Sequence, residues 1–358
     1  MRIELAQASD DDELRALLRD NPVGGDIRIG FEREPSFFAA ANLGVADSKT
    51  IIAREPNSGR IVSVGEVSIR SVFVDGAPVR GAYLSSWKVD RAWRGRPEIL
   101  VDAFAFVETL QREELHADFF FSAIIEGNIP ALRRLETPRE GFPRFRRVDD
   151  LVTVILPTRS AQRDSLLVPA DPEALAFRDA RLRRFQFTSD WSAPELSSLQ
   201  ASGPDTPLCL RQNNKITACA AIWDQRDKRQ SIVRGYSRFL GTVRAAYNFT
   251  TAFSHRPTLP NVGSPLELAS VCGFALAKDD PETAVTFLDA LRRSGCREAG
   301  VKLLGLTLSV RHPAIPAILK KLKPWSYRSR FYRVKLGDAR ISNAIDSDRL
   351  TQPEAALL

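Results

Sequence analysis

The stretch Tyr83-Leu84-Ser85-Ser86-Trp87-Lys88-Val89-Asp90-Arg91-Ala92-Trp93-Arg94-Gly95-Arg96-Pro97 decides the fold. Its first half continues an apolar strand over 79–89, and residues 90–96 form a short polar loop. Pro97 suits the first position of a helix, where a missing N–H costs no helical hydrogen bond. Leu100, Ala103, Phe104, Val107 and Leu110 then share one face of a helix over 97–115. A loop that enters a helix start offers unpaired backbone N–H groups and the positive end of the helix dipole, which together suit a pyrophosphate. Gly95 lets a ligand approach the backbone, and Arg94 and Arg96 add positive charge.

Upstream, the chain opens with a strand over 2–6 and a helix from about Asp10 carrying Leu14, Leu17 and Leu18 at helical spacing. Pro35 begins a short helix through Phe37, Phe38 and Ala41. Turn residues at 55–59 and 74–77 then separate strands over 50–54, 60–73 and 79–89, an antiparallel meander. Downstream, 118–125 is apolar on both faces and predicts a buried central strand. Asn128 starts a helix over 129–135, strands around Phe145 and over 151–156 close the unit, and the polar stretch 158–164 reads as a linker.

The second half repeats this order: strand 266–277, a helix from Asp280, strand 301–310, helix 313–322 and strand 327–336. Tyr83 to Leu266 spans 183 residues and Asn128 to His312 spans 184, so the repeat keeps nearly constant register. The fold class is therefore α/β with mixed sheets, in two units over 1–157 and 165–337, followed by a polar tail over 338–358.

At 358 residues the chain is long enough for two cores, and 44% hydrophobic with 27% charged residues excludes a disordered or collagen-like chain. The absence of a long uncharged apolar run argues against membrane insertion, and an acidic start at Asp10-Asp11-Asp12 without a leader pattern points to the cytoplasm. Cys209, Cys219, Cys272 and Cys296 lack metal spacing and the histidines number three, so no metal site is expected and the thiols read as buried. Residues 1–160 hold 22 Lys/Arg against 25 Asp/Glu, a balance of −3, whereas the remainder carries +10 of the net +7. The basic half suits an anionic ligand, but without a helix-turn-helix or RNA-binding signature it does not mark a nucleic-acid partner.

The stretch 83–97 resembles the acyl-CoA-binding motif of the GNAT N-acetyltransferase superfamily, in which strand four enters a loop of the form Gln/Arg-x-x-Gly-x-Gly/Ala. The order of elements over 1–156 is similar to that fold, including the turn Glu126-Gly127-Asn128-Ile129-Pro130-Ala131. The resemblance implies two GNAT-like domains, each a mostly antiparallel mixed sheet flanked by helices. It further implies an acyltransferase with acetyl-CoA or another acyl-CoA as cosubstrate. Trp87, Lys88 and Val89 would present main-chain groups to pantetheine, Arg94, Gly95 and Arg96 would cradle the pyrophosphate, and Asn128 would bind pantetheine or hold a helix start. Three positions depart from the pattern: Ala92 replaces Gln or Arg, Pro97 replaces the second Gly or Ala, and Leu135 stands where many members carry a tyrosine acid.

On that reading an amine, small molecule or peptide, attacks the thioester directly. Glu66 on the neighbouring strand is the first candidate base, Glu126 the second, and Tyr83 a candidate acid. The second unit would complete the acceptor cleft or pair two chains as a homodimer. Its own loop, Lys278-Asp279-Asp280-Pro281-Glu282, would repel a pyrophosphate, and acceptor specificity falls to loops over 19–33 and 237–265. The alternatives are a non-catalytic GNAT-like binding protein and a Fem-type aminoacyl transferase.

Overall fold

A two-residue turn sets the first half. Asp75 and Gly76 both take left-handed backbone, with φ of 52° and 87°, the geometry whose twist matches two antiparallel strands. The computed structural model describes residues 1–159, 166–199, 202–254, 256–294, 300–336 and 345–358. The expected linker therefore falls mostly outside the described residues, as do His255 and Cys296. Cys209, Cys219 and Cys272 are buried free thiols, as their sequence suggests.

The first half runs β1 (Arg2–Leu5), α1 (Asp11–Asp20), β2 (Ile27–Glu32), α2 (Phe37–Ala41), β3 (Asp47–Arg54), β4 (Ile61–Val74), β5 (Ala77–Val89), α3 (Glu98–Leu110), β6 (Phe119–Ile125), α4 (Ile129–Glu136) and β7 (Arg144–Pro157). The second runs β8 (Leu167–Pro169), α5 (Pro172–Leu182), β9 (Thr188–Ser189), α6 (Pro194–Ser197), β10 (Leu208–Gln212), β11 (Lys215–Trp223), β12 (Gln230–Tyr236), α7 (Arg238–Ser254), β13 (Leu268–Leu276), α8 (Pro281–Leu291), β14 (Leu303–Ser309), α9 (Ile315–Leu322) and β15 (Trp325–Lys335). The meander, the two crossover helices and the order of elements over 79–157 and 266–336 follow the sequence reading. The helix after the loop is shorter than 97–115: α3 ends at Leu110, and residues 111–115 form a wider π-helical turn.

Among the described residues thirteen strands make one mixed sheet, ordered β1-β3-β4-β5-β6-β15-β7-β14-β13-β11-β10-β8, with β9 against β4. Here the structure corrects the expectation that β7 closes the first unit. β15, last in sequence, lies between β6 and β7, pairing antiparallel with both, and β7 pairs onward with β14. The last strand of each half thus pairs with the other half, and the hydrogen-bond ladder runs unbroken between them. β2 and β12 add a second bridge as a separate two-stranded sheet.

Equivalent helices cover one face of the sheet. α3 packs Leu100, Ala103, Phe104 and Val107 on Ala82, Leu84 and Phe120, and α8 packs Ala284, Phe287 and Leu288 on β13 and β14. Phe119, Phe120 and Phe121 are all buried, as expected of core residues, and each contributes roughly 2–3 kcal/mol of apolar burial. The stretch read as a polar tail does not lie free. Trp191, Trp223, Leu43 and Cys272 pack against Ala356 and Leu357, and Gln352 and Glu354 are buried with them. The run Ala355-Ala356-Leu357-Leu358 supplies the apolar surface, and before it Gln352 Nε2 and the Glu354 carboxylate make buried hydrogen bonds.

Candidate functional site

β5 and β6 run parallel yet pair at only three positions, Gly81↔Phe119, Ala82↔Phe120 and Tyr83↔Phe121. The Ser122 hydroxyl donates to the Leu84 carbonyl at 2.9 Å and closes the apex. Beyond it the strands part, and β5 continues in register with β4 alone, through Glu66↔Ser85, Val64↔Lys88 and Ser63↔Val89. The edge of β5 from Ser85 to Val89 therefore faces an open fork with no ladder partner on the β6 side.

The register shifts between Val64 and Glu66, and Ser86 sits in this bulge with φ 56°. A serine in left-handed backbone costs on the order of 1 kcal/mol, so something must hold it. Arg33 does: its Nη2 donates to Ser86 Oγ at 3.2 Å and is ion-paired with Glu66. Opposite the bulge, a Cβ on Gly65 would lie 2.4 Å from Trp87 Cε3, so the indole crosses β4 where only glycine leaves room. Trp87 rests on Phe104 of α3, with ring centroids 4.7 Å apart, and its buried indole N–H has no hydrogen-bond partner among the described residues.

Past Val89 the loop is organised as the sequence requires. Asp90 accepts from the Ala92 N–H at 2.9 Å and caps a single turn, Arg91–Trp93. Arg94 is tied to Asn21 Oδ1 at 2.7 Å and to the Val89 carbonyl at 3.3 Å, while the Arg96 guanidinium lies 4.0 Å from the Trp93 ring centroid. Gly95 has φ 95°, and no atom lies within 4 Å of a Cβ built there. Arg94, Gly95 and Arg96 are all exposed and stand together at the start of α3. Pro97 removes one N–H from this cradle. Asn128 holds a helix start, its Oδ1 accepting from the Ala131 N–H at 3.4 Å. Lys88 donates to the Asn21 carbonyl at 2.6 Å, and its amine is pushed down to about 8, by burial first and then by Arg94 and Arg33.

The candidate catalytic groups are placed differently from one another. Glu66 does flank the strand 83–89, but it is only 2% exposed and locked to Arg33. Burial pushes its carboxyl up, the Arg33 charge and hydrogen bond outweigh that, and the carboxyl stays below its ordinary value. A carboxylate so paired is a weak proton acceptor. Tyr83 is buried at the apex against Phe121, its phenol pushed up to about 12 by burial. Glu126 lies on the opposite flank, 3.8 Å from Arg330 of β15, away from Glu66. Leu135 packs with Phe142 and Phe145 on the α3 core and offers no phenol.

Sequence reasoning missed the cations around Glu66. Arg229 donates to the Ala40 and Ala356 carbonyls and is pushed down to about 9, by burial first and then by Arg33. Arg70 lies 5.0 Å from the Tyr83 ring centroid, its Nε buried without a partner, and burial pushes it down to about 10. The available signal was the alternation Glu66-Ser68-Arg70 within a long strand central to the meander.

The second half has its own fork, already filled. β13 and β14 pair in parallel only over Leu268↔Leu303 to Ser270↔Gly305, and Gly273 forms a left-handed bulge with φ 60°. The Gly273 N–H donates to the Glu354 carboxylate at 3.1 Å, and Gln352 Nε2 donates to the Phe274 carbonyl at 2.7 Å. Asp280 caps α8, accepting from the Thr283 N–H at 2.7 Å. Burial pushes Glu354 from 4.5 to about 7 despite its bonds from Gly273 and Trp191. Between those two values the folded chain binds a proton that the unfolded chain has lost, so stability falls as pH rises, by up to about 3 kcal/mol. Glu354→Gln retains an acceptor for both N–H groups, and urea melts from acid to mildly alkaline pH should show this decline reduced.

No protein family matches the sequence, and no curated protein is similar to it in sequence. Solved structures do resemble it. N-myristoyltransferase of Saccharomyces cerevisiae with bound myristoyl-CoA superposes with a TM-score of 0.60 at 13% identity, covering 98% of this chain and 89% of that one. A structure of the same yeast enzyme with myristoyl-CoA and inhibitors gives 0.59 at 13% identity, covering 99% and 86%. Two halves with matching parallel forks, one continuous sheet and an end-to-end likeness agree: the chain has the tandem GNAT fold, shared over nearly its whole length with N-myristoyltransferase.

Proposed function

We propose that the chain is an N-acyltransferase that moves an acyl group, acetyl or longer, from acyl-CoA to the amine of a small molecule or peptide. The observation that carries this reading is the fork. A strand edge free of ladder partners over Ser85–Val89 leads straight into a loop where Arg94, Gly95 and Arg96 meet a helix start. Pantetheine would lie along that edge, bonded to main-chain groups of Trp87, Lys88 and Val89, with the pyrophosphate at the loop. The exposed guanidiniums, the open space at Gly95 and the unpartnered Trp87 N–H all fit such a ligand. That the yeast structures hold myristoyl-CoA supports the same assignment.

The acceptor nitrogen attacks the thioester carbonyl carbon, a β5 backbone N–H near the bulge stabilises the oxyanion, and the carbon–sulfur bond breaks. The acceptor nitrogen sheds a proton to solvent as the amide forms, and CoA leaves as a thiolate that takes up a proton from solvent in exchange. The attacking amine must first be neutral, and the positive field around Glu66 favours that. Burial and the neighbouring cations already push the Lys88 amine down to about 8, and an acceptor ammonium entering beside Arg33, Arg70 and Arg229 meets the same penalty. Glu66 acts as a positioning group that fixes Arg33 and, through it, the Ser86 bulge. Tyr83 walls the apex, and Glu126 takes no part.

Glu66→Gln should therefore lower kcat by at least about tenfold, roughly 1.4 kcal/mol of transition-state stabilisation, with the Kd for acyl-CoA within about twofold. Steady-state kinetics and a binding titration on the same preparation check this. An unchanged kcat removes Glu66 from the account.

A further inference from the structure

The second half carries a surface that acyl transfer does not use. α7 turns Phe239, Thr242, Ala245, Ala246, Phe249 and Thr250 outward, at helical spacing and without a charge among them. Phe239 is 76% exposed and Phe249 72%. Val262, 60% exposed, stands in the following loop, which Arg244 holds through Pro260 O and Asn261 Oδ1. An isolated exposed Phe needs no explanation, whereas two on one helical face of otherwise small, uncharged residues mark an interaction site.

The charge around the patch has one sign. Residues 228–266 contain Lys228, Arg229, Arg234, Arg238, Arg244 and Arg256 and no acidic residue. Arg229 is buried, Lys228 pairs with Asp227, Arg234 pairs with Glu32, and Arg244 is bonded to Pro260 and Asn261, which leaves the exposed Arg238 and Arg256 at the two ends of α7. Arg28 on the adjoining β2 is exposed as well, and Asp26 stands near the start of α7, its carbonyl accepting from the Ser237 N–H at 2.8 Å. A second copy pairing through this face would bring two arginine rims together with little to offset them. An aromatic, uncharged face rimmed by arginine instead matches the boundary between anionic headgroups and acyl chains.

We propose that the outward face of α7 forms a peripheral docking surface for an anionic lipid bilayer. Phe239 and Phe249 enter the headgroup–acyl boundary, and Arg238 and Arg256 face the lipid phosphates. The proposal is independent of the acyltransferase reading.

Co-sedimentation of the full chain with phosphatidylcholine vesicles, with and without about 30% phosphatidylserine, tests it. Binding to the anionic vesicles should be at least tenfold tighter, should weaken as salt rises, and should fall at least tenfold in Phe239→Ser/Phe249→Ser. Both side chains are exposed, so that variant should keep the far-UV circular dichroism of the parent. Equal binding to both vesicles, no binding, or an unaffected double variant overturns the proposal. Sedimentation velocity on the same samples covers the self-association outcome: a dimer dissolved by the double substitution, without vesicle binding, assigns the face to a second copy and also overturns it.

Discussion

Gly95→Glu should weaken acyl-CoA binding by roughly a hundredfold, about 2.7 kcal/mol, and leave the fold intact. The residue sits at φ 95° in an exposed loop, and no atom lies within 4 Å of an added Cβ. The substitution therefore meets no packing clash, only a local backbone penalty on the order of 1 kcal/mol. Its carboxylate, however, would stand between Arg94 and Arg96 at the start of α3, where the account puts a pyrophosphate. It would draw both guanidiniums to itself and repel the ligand's charge. Gly95→Ala carries the same backbone strain without the charge and should weaken binding by less than about tenfold. Calorimetry on both variants separates the causes. Equal losses would assign the effect to the backbone, and no loss in either would remove the phosphates from this loop.

Arg33→Met should cost the fold roughly 3–5 kcal/mol, the range found when one partner of a buried ion pair is removed. Glu66 is 2% exposed and Arg33's side chain 12%, so solvent screens the pair little. In the parent the Glu66 carboxyl lies below its ordinary value. The stabilisation it brings is present above the unfolded-state value and is lost as pH falls through the folded one. Without Arg33 the desolvation penalty dominates, the carboxyl rises, and the sign reverses, so the variant loses more stability near pH 8 than near pH 5. Urea melts at the two pH values measure this. Arg33→Met/Glu66→Gln, which leaves no buried charge at that position, should recover most of the loss. A loss independent of pH would mean that the pair contributes packing and not charge.

The parts of the fold legible in the sequence were those with local causes. Asp75-Gly76 specifies its hairpin turn, the Leu100–Leu110 stripe specifies α3, and Asn128 and Asp280 cap the helices they precede. The exchange of β15 and β7 between halves was not legible, because strand partners far apart in sequence leave no local trace in either strand. The segment 19–33 holds β2, which pairs with β12, and 237–265 holds α7, although both read as irregular loops. α7 escaped notice because its outward face is apolar, which blurs the amphipathic stripe that announces a surface helix. At the site, the loop 90–97 was legible from glycine, proline and arginine alone. The buried cations were not, since the alternation Glu66-Ser68-Arg70 looks the same whether that face of β4 meets water or another protein layer. The buried segment before Leu358 was misread for a similar reason. Its polar residues suggest solvent, and only the tertiary structure shows Glu354 and Gln352 bonded into the second fork.

The central claim is that the fork between β5 and β6 binds an acyl-CoA. Calorimetric titration of the full chain with CoA, acetyl-CoA and longer acyl-CoA thioesters tests it most directly. The account predicts saturable binding at one site per chain for at least one thioester, with free CoA weaker than its best acylated form. A folded chain that binds none of them would contradict it, and the fork would then be a feature of the architecture without a cosubstrate.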